Sequence, residues 1–146
     1  TYEEIINDLT VAFTQLVSQS KGIINAVNTP TTLALPAGHE TLLNTANAFG
    51  MTVKKWLLDN YPNCRIETAP QLSSVNGGVD AFYLYADEVS GDSSEDDRRV
   101  WVQMVPAQFM ALGVDPQGKR TVEDNTNATA GVMCKRPYAI YRASGI

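Results

Sequence analysis

The chain has 146 residues, of which 44% are hydrophobic and 18% are charged, which is ordinary for one globular domain with a buried core. The formal net charge is −5, and its lysines and arginines occur as scattered pairs rather than as the basic stripe that duplex binding requires. No stretch approaches the roughly 18 uninterrupted apolar residues of a membrane span, and the acidic N-terminal segment does not resemble a signal peptide. We therefore expect no membrane partner and no direct nucleic-acid site.

The first predicted element is a long amphipathic helix. Its apolar residues recur at the spacing of one helix face: Ile5, Ile6, Leu9, Ala12, Phe13, Leu16 and Val17. Thr1 and Glu4 have the spacing of a capping box, which predicts that the helix begins at residue 2, and Gly22 marks its end. Because one face of this helix is apolar, it must pack against another element of the chain.

The middle of the chain alternates short strands with short helices. Pro36 ends a strand and suits the first turn of the next helix, and Thr52 is placed to cap a further helix. The predicted order is a strand at 31–36, a helix at 37–49, a helix at 51–60, a strand at 64–69 and a strand at 79–86. The last of these is apolar on both faces, so we expect both faces to be covered.

The last third of the chain is rich in loops and β character. Residues 87–99 predict a polar, acidic loop, and residues 100–105 predict a strand that Pro106 ends. The closing segment, 130–146, predicts a strand, in which Pro137 indicates an edge position or a bulge. Helices that come first, followed by strands and helices without a regular βαβ alternation, predict an α+β fold.

The segment GVDPQGKR, residues 113–120, nearly matches a phosphate-binding loop. Such a loop needs Ser or Thr after its Gly-Lys pair to hold magnesium, and a helix that follows directly. Arg120 occupies the position of that hydroxyl, and the next residues are rich in Asn and Thr without a helical stripe. Asp115 and Pro116 fit a β-turn, so the segment predicts a turn and no nucleotide site.

Other residues with catalytic or metal-binding chemistry are dispersed along the chain. His39, the single histidine, lies beside Glu40 near the start of the second predicted helix, without a nucleophile signature. Cys64 and Cys134 form no CxxC pair and are expected to be reduced thiols in a cytosolic setting. The acidic residues of the loop do not follow the spacing of a calcium-binding loop and indicate a solvated segment: Glu88, Asp92, Glu95, Asp96 and Asp97. The sequence thus predicts no enzyme and no catalytic, cofactor-binding or metal-binding residue.

Several aromatic residues suit a core, a ligand pocket or a subunit interface: Trp56, Trp101, Tyr83, Tyr85, Tyr138 and Tyr141. For Trp56, which lies on a predicted helix, packing in the core is favoured. For the two tyrosines of the closing segment both packing and association stay open, because aromatic residues on an edge strand often serve association.

The C-terminal third also carries a family resemblance. The segment VWVQMVPAQFMALGVDPQGKR, a variable Asn- and Thr-rich stretch, and then GVMCKRPYAIYRASGI resemble the closing half of phage and prophage major capsid-like proteins. Upstream, TTLALPAGHETLL, TVKKWLLDNYPNCRIETAPQL and DAFYLYADE are similar to the same family. The resemblance covers nearly the whole chain and implies the Hong Kong 97 phage-type fold, with a long helix packed on a mixed sheet.

The resemblance also implies a place for each part of the chain. Residues 1–23 and 121–146 would form a peripheral domain, and residues 24–120 an axial domain. Copies would associate into hexamers and pentamers and contact other virion proteins, in a capsid assembled in the bacterial cytoplasm. The family's N-terminal arm and extended hairpin would precede Thr1, so the chain is expected to be the C-terminal portion of a longer protein. No catalytic residue carries over.

Three alternatives predict different structures. An encapsulin-type compartment shell would share the fold but enclose an enzyme instead of DNA. An enzyme or small-ligand-binding domain built on residues 31–105 predicts a deep pocket in which His39, Cys64 or the carboxylates of 92–97 converge. A tail or decoration protein predicts that the opening helix does not pack on the final strand.

Overall fold

The structure, a computed structural model, describes residues 1–75, 77–91 and 96–145. Its elements are helices α1 (Tyr2–Gln19) and α2 (Val53–Asn60) and strands β1 (Thr31–Leu35), β2 (Cys64–Thr68), β3 (Ala81–Ala86), β4 (Trp101–Met104), β5 (Ala107–Gln117), β6 (Arg120–Ala128), β7 (Gly131–Cys134) and β8 (Ile140–Ser144). Contacts divide the chain into a first unit, Thr1–Val100 with Arg136–Ile146, and a second unit, Trp101–Lys135.

Helix α1 begins and ends where the sequence predicts. The Thr1 hydroxyl accepts a hydrogen bond from the Glu4 amide at 3.4 Å, and the Glu4 carboxylate accepts one from the Thr1 ammonium at 2.7 Å, which completes the predicted capping box. After Ser20 the backbone turns left-handed, with φ of 81° at Gly22, which ends the helix. The predicted apolar stripe supplies the buried side chains of the helix: Leu9, Ala12, Phe13 and Leu16.

A four-stranded mixed sheet, in the order β2-β1-β3-β8, forms the other layer of the first unit. Strands β1 and β2 are parallel, while β1 with β3 and β3 with β8 are antiparallel. Helix α1 contacts β3 and β8, and it also contacts the 3-10 helix Pro137–Ala139 that precedes β8. The two ends of the chain therefore pack on each other, as the capsid resemblance predicts and a tail or decoration protein does not. The predicted α+β fold class is confirmed.

The interior of the sheet follows from its strand order. Strands β1 and β3 are central, and Leu33 and Leu84, which are paired in register, are both fully buried. The Thr32 hydroxyl in β1 is also buried, and it donates a hydrogen bond of 2.6 Å to the Asp87 carboxylate just beyond β3. The predicted strand at 79–86 is confirmed as β3, Ala81–Ala86. The face of Phe82, Leu84 and Ala86 is buried, whereas Tyr83 and Tyr85 on the other face are half-buried, so the expected coverage is complete on one face only.

Two predicted elements of the first unit are wrong in form. The helix predicted at 37–49 is a short 3-10 helix, His39–Asn44, since its N-cap Gly38 is left-handed and supplies no capping side chain. The strand predicted at 130–146 is two strands, β7 and β8, separated by a 3-10 helix that starts at Pro137, which has no amide to donate to a ladder. The edge position that Pro137 indicated is correct for β8.

The second unit contains two antiparallel pairs, β4 with β7 and β5 with β6. Only β4 and the closing β7 segment were expected as strands, because the β5 and β6 sequences lack an alternating apolar pattern. Two irregularities in register, between 107 and 110 and between 111 and 113, disturb that alternation along β5. The segment does contain a turn, but the predicted position is wrong: the chain turns at Gly118 and Lys119, while Asp115 and Pro116 belong to β5.

A buried arginine connects the closing segment to the acidic loop within the first unit. The Arg136 guanidinium donates to the backbone carbonyls of Asp97 at 3.2 Å and Arg99 at 2.8 Å, and to the Asp96 carboxylate at 2.6 Å. Its side chain is almost fully buried, and a buried guanidinium is tolerated only when its hydrogen bonds are satisfied. Arg136 therefore holds residues 96–99 beside the start of the 3-10 helix.

We expect Leu16→Ala to lower the free energy of unfolding by about 2–5 kcal/mol, the range for truncating a fully buried leucine. Val11→Ala, on the exposed face of the same helix, should change the free energy of unfolding by less than about 0.5 kcal/mol. Urea denaturation followed by circular dichroism measures both values. Equal losses for the two variants would contradict the packing of α1.

We expect Arg136→Met to lower the free energy of unfolding by about 3 kcal/mol, because two backbone carbonyls and a carboxylate lose their donor. The control is Arg142→Met, whose exposed guanidinium lies 5.9 Å from the Tyr83 ring, and it should cost less than about 1 kcal/mol. Combining Arg136→Met with Asp96→Asn should recover part of the loss in the same denaturation assay. A loss for Arg136→Met no larger than that of Arg142→Met would show that the buried contacts do not stabilise the fold.

Candidate functional site

The phosphate-loop-like segment, residues 113–120, forms the end of a β-hairpin. Strand β5 runs into the turn at Gly118 and Lys119, and β6 leaves it at Arg120. A phosphate cradle requires a strand that delivers backbone amides into the N-terminus of a helix. Strand-turn-strand geometry supplies no helix dipole, so this segment does not have the arrangement of a nucleotide site.

His39 has a partner that the sequence did not reveal. Its Nε2 lies 2.9 Å from Oδ2 of Asp80, which directly precedes β3. The other oxygen of Asp80 accepts a hydrogen bond from the Ser74 amide at 2.8 Å, so the carboxylate is held from two sides. The pair is distant in sequence, and only the return of the chain along the sheet brings the two side chains together. In nucleophilic catalysis a histidine oriented by a carboxylate must also reach a nucleophile.

The pocket beside His39 supplies no cysteine nucleophile. It has a volume of about 250 Å³, and its walls come from α1, the end of β1, the 3-10 helix His39–Asn44 and the start of β3. The lining is mostly apolar: Ile5, Leu9, Leu35, Leu42, Leu43 and Phe82, with Thr1, Glu4, Asp8, His39 and Gly145 at the remaining positions. Neither cysteine lines it, so the convergence of His39 with Cys64 that the enzyme alternative predicts does not occur.

The two cysteines are free thiols in different settings. Cys64 is buried at the start of β2, and this burial raises the pKa of its thiol; the nearby Asp87 carboxylate raises it further, while hydrogen bonding with Thr31 and Leu33 opposes the shift. A reactive cysteine requires a lowered pKa and access to solvent. Cys134 is half-buried in the second unit. Cys64 therefore behaves as a packing residue of the sheet.

The predicted acidic loop lies partly outside the described residues, which exclude Asp92 and Glu95. Of the described part, Asp96 pairs with Arg136, and Glu88 forms an isolated β-bridge with Arg99. Within residues 1–75, 77–91 and 96–145, no group of three or more His, Cys, Asp or Glu side chains is placed to hold a metal ion. In the same part of the chain, no helix is long and apolar enough to cross a membrane.

Aromatic residues stabilise the packing of the first unit. The rings of Phe13 and Tyr61 are stacked with centroids 3.8 Å apart, and Trp56 meets Tyr61 edge-on at 6.0 Å. Burial raises the pKa of the Tyr61 hydroxyl. At the edge of the sheet, Tyr141 of β8 approaches Phe82 of β3 at 6.3 Å. Trp56 thus joins α2 to α1 through Tyr61, which agrees with the packing role favoured from the sequence.

Among the described strands, β5 carries the most large apolar side chains that are exposed, and sequence reasoning missed this surface. The side chains of Phe109, Met110, Leu112 and Val114 are each between 58% and 69% exposed. We call these four residues the apolar strand. Opposite them, β6 carries mainly polar side chains, so the hairpin has one apolar and one polar strand. The run VPAQFMALGV was the available signal, and the missing alternation concealed it.

The second unit has no core of its own. None of residues 101–135, all of which the structure describes, is buried. A two-stranded hairpin is only marginally stable in water, and contiguous exposed apolar residues of this kind mark protein interaction surfaces. The apolar strand is therefore the candidate functional site of the chain, and the chemistry it offers is association with another protein surface.

Comparisons with solved structures show a capsid fold. The chain aligns with "The capsid of Myoviridae Phage XM1" at a TM-score of 0.68 and 17% identity, over 94% of this chain and 44% of that one. It also aligns with a virus-like particle from Pyrococcus furiosus at a TM-score of 0.57 and 19% identity, over 97% of this chain and 51% of that one. The chain thus spans about half the length of each structure. Comparison with curated protein sequences finds no match.

The family comparison is more specific than the structural one. The family model described as "Pa193 gp26 major capsid protein" matches residues 1–145, which is nearly the whole chain. This match agrees with the packing of α1 on β8 and with the capsid fold of both structural neighbours. The chain therefore belongs to the Pa193 gp26 major capsid protein family.

Proposed function

We propose that the chain is the shell-forming part of a phage or prophage major capsid protein, whose copies associate into a closed capsid. The role is structural rather than enzymatic, and the protein resides in the virion after assembly in the bacterial cytoplasm. The family match over residues 1–145 supports this proposal. The observation that carries it is the second unit, which exposes an apolar strand and buries no residue of its own.

The exposed surface suits a protein that works by repeated contact. A shell subunit needs broad interfaces that identical neighbours can cover, and symmetric assemblies supply the same contact many times. Covering the apolar strand removes four large side chains from water. Burial of apolar surface stabilises an interface by roughly 25 cal/mol for each Å². A second copy of the chain is the partner that such an assembly provides at every position.

The division into capsid domains stays a prediction. The proposed peripheral domain, residues 1–23 with 121–146, includes both α1 and β8, which pack on each other. The proposed axial domain, residues 24–120, would separate β5 from most of β6, although these strands pair along their length. The division by contacts instead keeps residues 101–135 in one unit, so β5 and β6 stay together. Hexamers, pentamers and contacts with other virion proteins belong to the same proposal.

An encapsulin-type compartment is the related alternative. The virus-like particle from Pyrococcus furiosus supports a shell of this general fold, but its TM-score of 0.57 is below the 0.68 of the phage capsid. The family match also favours the phage capsid. The contents of the shells distinguish the two, because a capsid packages DNA whereas such a compartment encloses an enzyme.

We expect the complete gene product, expressed alone, to form closed shells visible by negative-stain electron microscopy. Phe109→Ser with Leu112→Ser should abolish them, because losing a central apolar contact in an interface costs about 2 kcal/mol or more for each residue. Asn125→Ala with Thr126→Ala, on the polar strand β6, is the matched control and should leave shells intact.

Circular dichroism of the two double variants checks that the helices and sheet of the first unit persist. A wild-type protein that stays monomeric at all concentrations would contradict the proposed function. Normal shells formed by the Phe109→Ser and Leu112→Ser double variant would instead show that the apolar strand is not part of the interface.

A further inference from the structure

Phe49 projects from the first unit as an isolated aromatic side chain that is 95% exposed. Four hydrogen bonds hold the turn that carries it, two between backbone groups and two accepted by the Asn47 side chain. The Asn47 side-chain carbonyl accepts from the amides of Phe49 and Met51, both at 3.0 Å, while the Asn47 amide donates to the Met51 carbonyl at 3.0 Å. The Gly50 amide donates to the Asn47 carbonyl at 3.0 Å, with a φ of 78° that favours glycine.

These hydrogen bonds hold the backbone of the turn in place. Covering Phe49 therefore costs little backbone entropy, and its exposed ring is available for binding. Basic charge follows directly, since Lys54 and Lys55 are exposed at the start of α2. No acidic residue occurs between residues 41 and 58, although Lys54 lines a surface pocket together with Glu40 and Glu67. We call Phe49 with these two lysines the basic knob.

The pocket beside His39 has the opposite character. Its floor is apolar, and the carboxylates of Glu4 and Asp8 lie among its lining residues. No lysine or arginine occurs between residues 2 and 20. At about 250 Å³ the pocket is smaller than the roughly 300–1,000 Å³ of a typical drug-sized ligand site. Its size and lining suit one aromatic side chain with a basic neighbour. We call it the acidic socket.

We infer that the basic knob of one copy inserts into the acidic socket of a second copy, so that Phe49 is buried between subunits. This inference rests on the proposed shell function, which supplies a neighbouring copy. Phe49 does not line the socket of its own chain, and none of the residues that the structure describes covers its side chain. Because the lysines of the knob and the carboxylates of the socket have opposite charges, and the socket has room for one aromatic side chain, the occupant we infer is a second copy of the same protein.

The contact has a consequence for symmetry. The knob and the socket are different surfaces of one unit, so their contact is heterologous, with each copy giving its knob to one neighbour and its socket to another. Such contacts close into rings when the rotation between copies allows it. A ring of knob-and-socket contacts is the geometry that a capsomer requires.

The first test truncates the knob. In the complete gene product, Phe49→Ala should raise the subunit concentration needed for assembly by about 30-fold, the effect of losing an aromatic residue at the centre of an interface. Val27→Ala, which also truncates an exposed apolar side chain of the first unit, should leave that concentration unchanged. Both variants should retain the wild-type thermal transition, because neither side chain is buried. An unchanged assembly concentration for Phe49→Ala would overturn the inference.

The second test reverses the charges. Lys54→Glu with Lys55→Glu should weaken assembly, and adding Asp8→Lys in the same chain should restore part of it, since every contact then pairs the reversed knob with a reversed socket. Capping by Thr1 and Glu4 is untouched in this design. Equal assembly with and without Asp8→Lys would show that the lysines do not face the socket.

The third test locates the contact directly. Copies carrying Phe49→Cys are mixed with copies carrying Asp8→Cys, both with Cys134→Ser, and mass spectrometry of the proteolysed product identifies the mixed disulfide that a knob-and-socket contact forms. A Phe49→Cys to Asp8→Cys crosslink supports the inference, and shells without this crosslink overturn it while leaving the proposed function standing. If wild-type subunits form no shells, the proposed function fails, and the presence or absence of the crosslink in concentrated solution still decides the contact.

Discussion

The first unit depends on the burial of one face of α1 against the strands that end the chain. Leu9, Phe13 and Leu16 lie on that face, and the helix contacts β3, β8 and the short 3-10 helix before β8. Among the described residues, strand β8 pairs with β3 alone and lies at an edge of the sheet, so the helix covers an element that would otherwise have little support. Joining the two ends of the chain is thus a consequence of apolar burial, and it fixes where the closing segment must lie.

Stability and association are divided between the two units. The first unit contains the buried side chains, including the paired Leu33 and Leu84, and it satisfies the buried Arg136 with a carboxylate and two carbonyls. The second unit buries none of its residues and holds its apolar side chains in β5. A protein whose function is assembly can leave part of its apolar surface uncovered, because its partners complete the burial.

Local patterns were sufficient for elements whose fold repeats a simple period. The apolar stripe and the capping box predicted the bounds of α1 to within a few residues. Thr52 predicted the start of α2, and the apolar run at 79–86 predicted β3. The pattern failed in β5, where two register irregularities break the alternation of faces, and in the helix predicted at 37–49, where Gly38 turns the chain left-handed. The candidate site was missed for the same reason, since its apolar residues lie in β5.

By itself, the sequence determined the α+β class, the main helix and the resemblance to a capsid protein, because periodicity, capping and motif similarity are properties of neighbouring residues. Only the tertiary structure decided which residues meet across the chain. The contact of His39 with Asp80, the hydrogen bonds of Arg136 to residues 96–99 and the exposure of Phe49 all depend on the path of distant segments through the fold. Such contacts depend on strand order and packing, which local spacing does not encode.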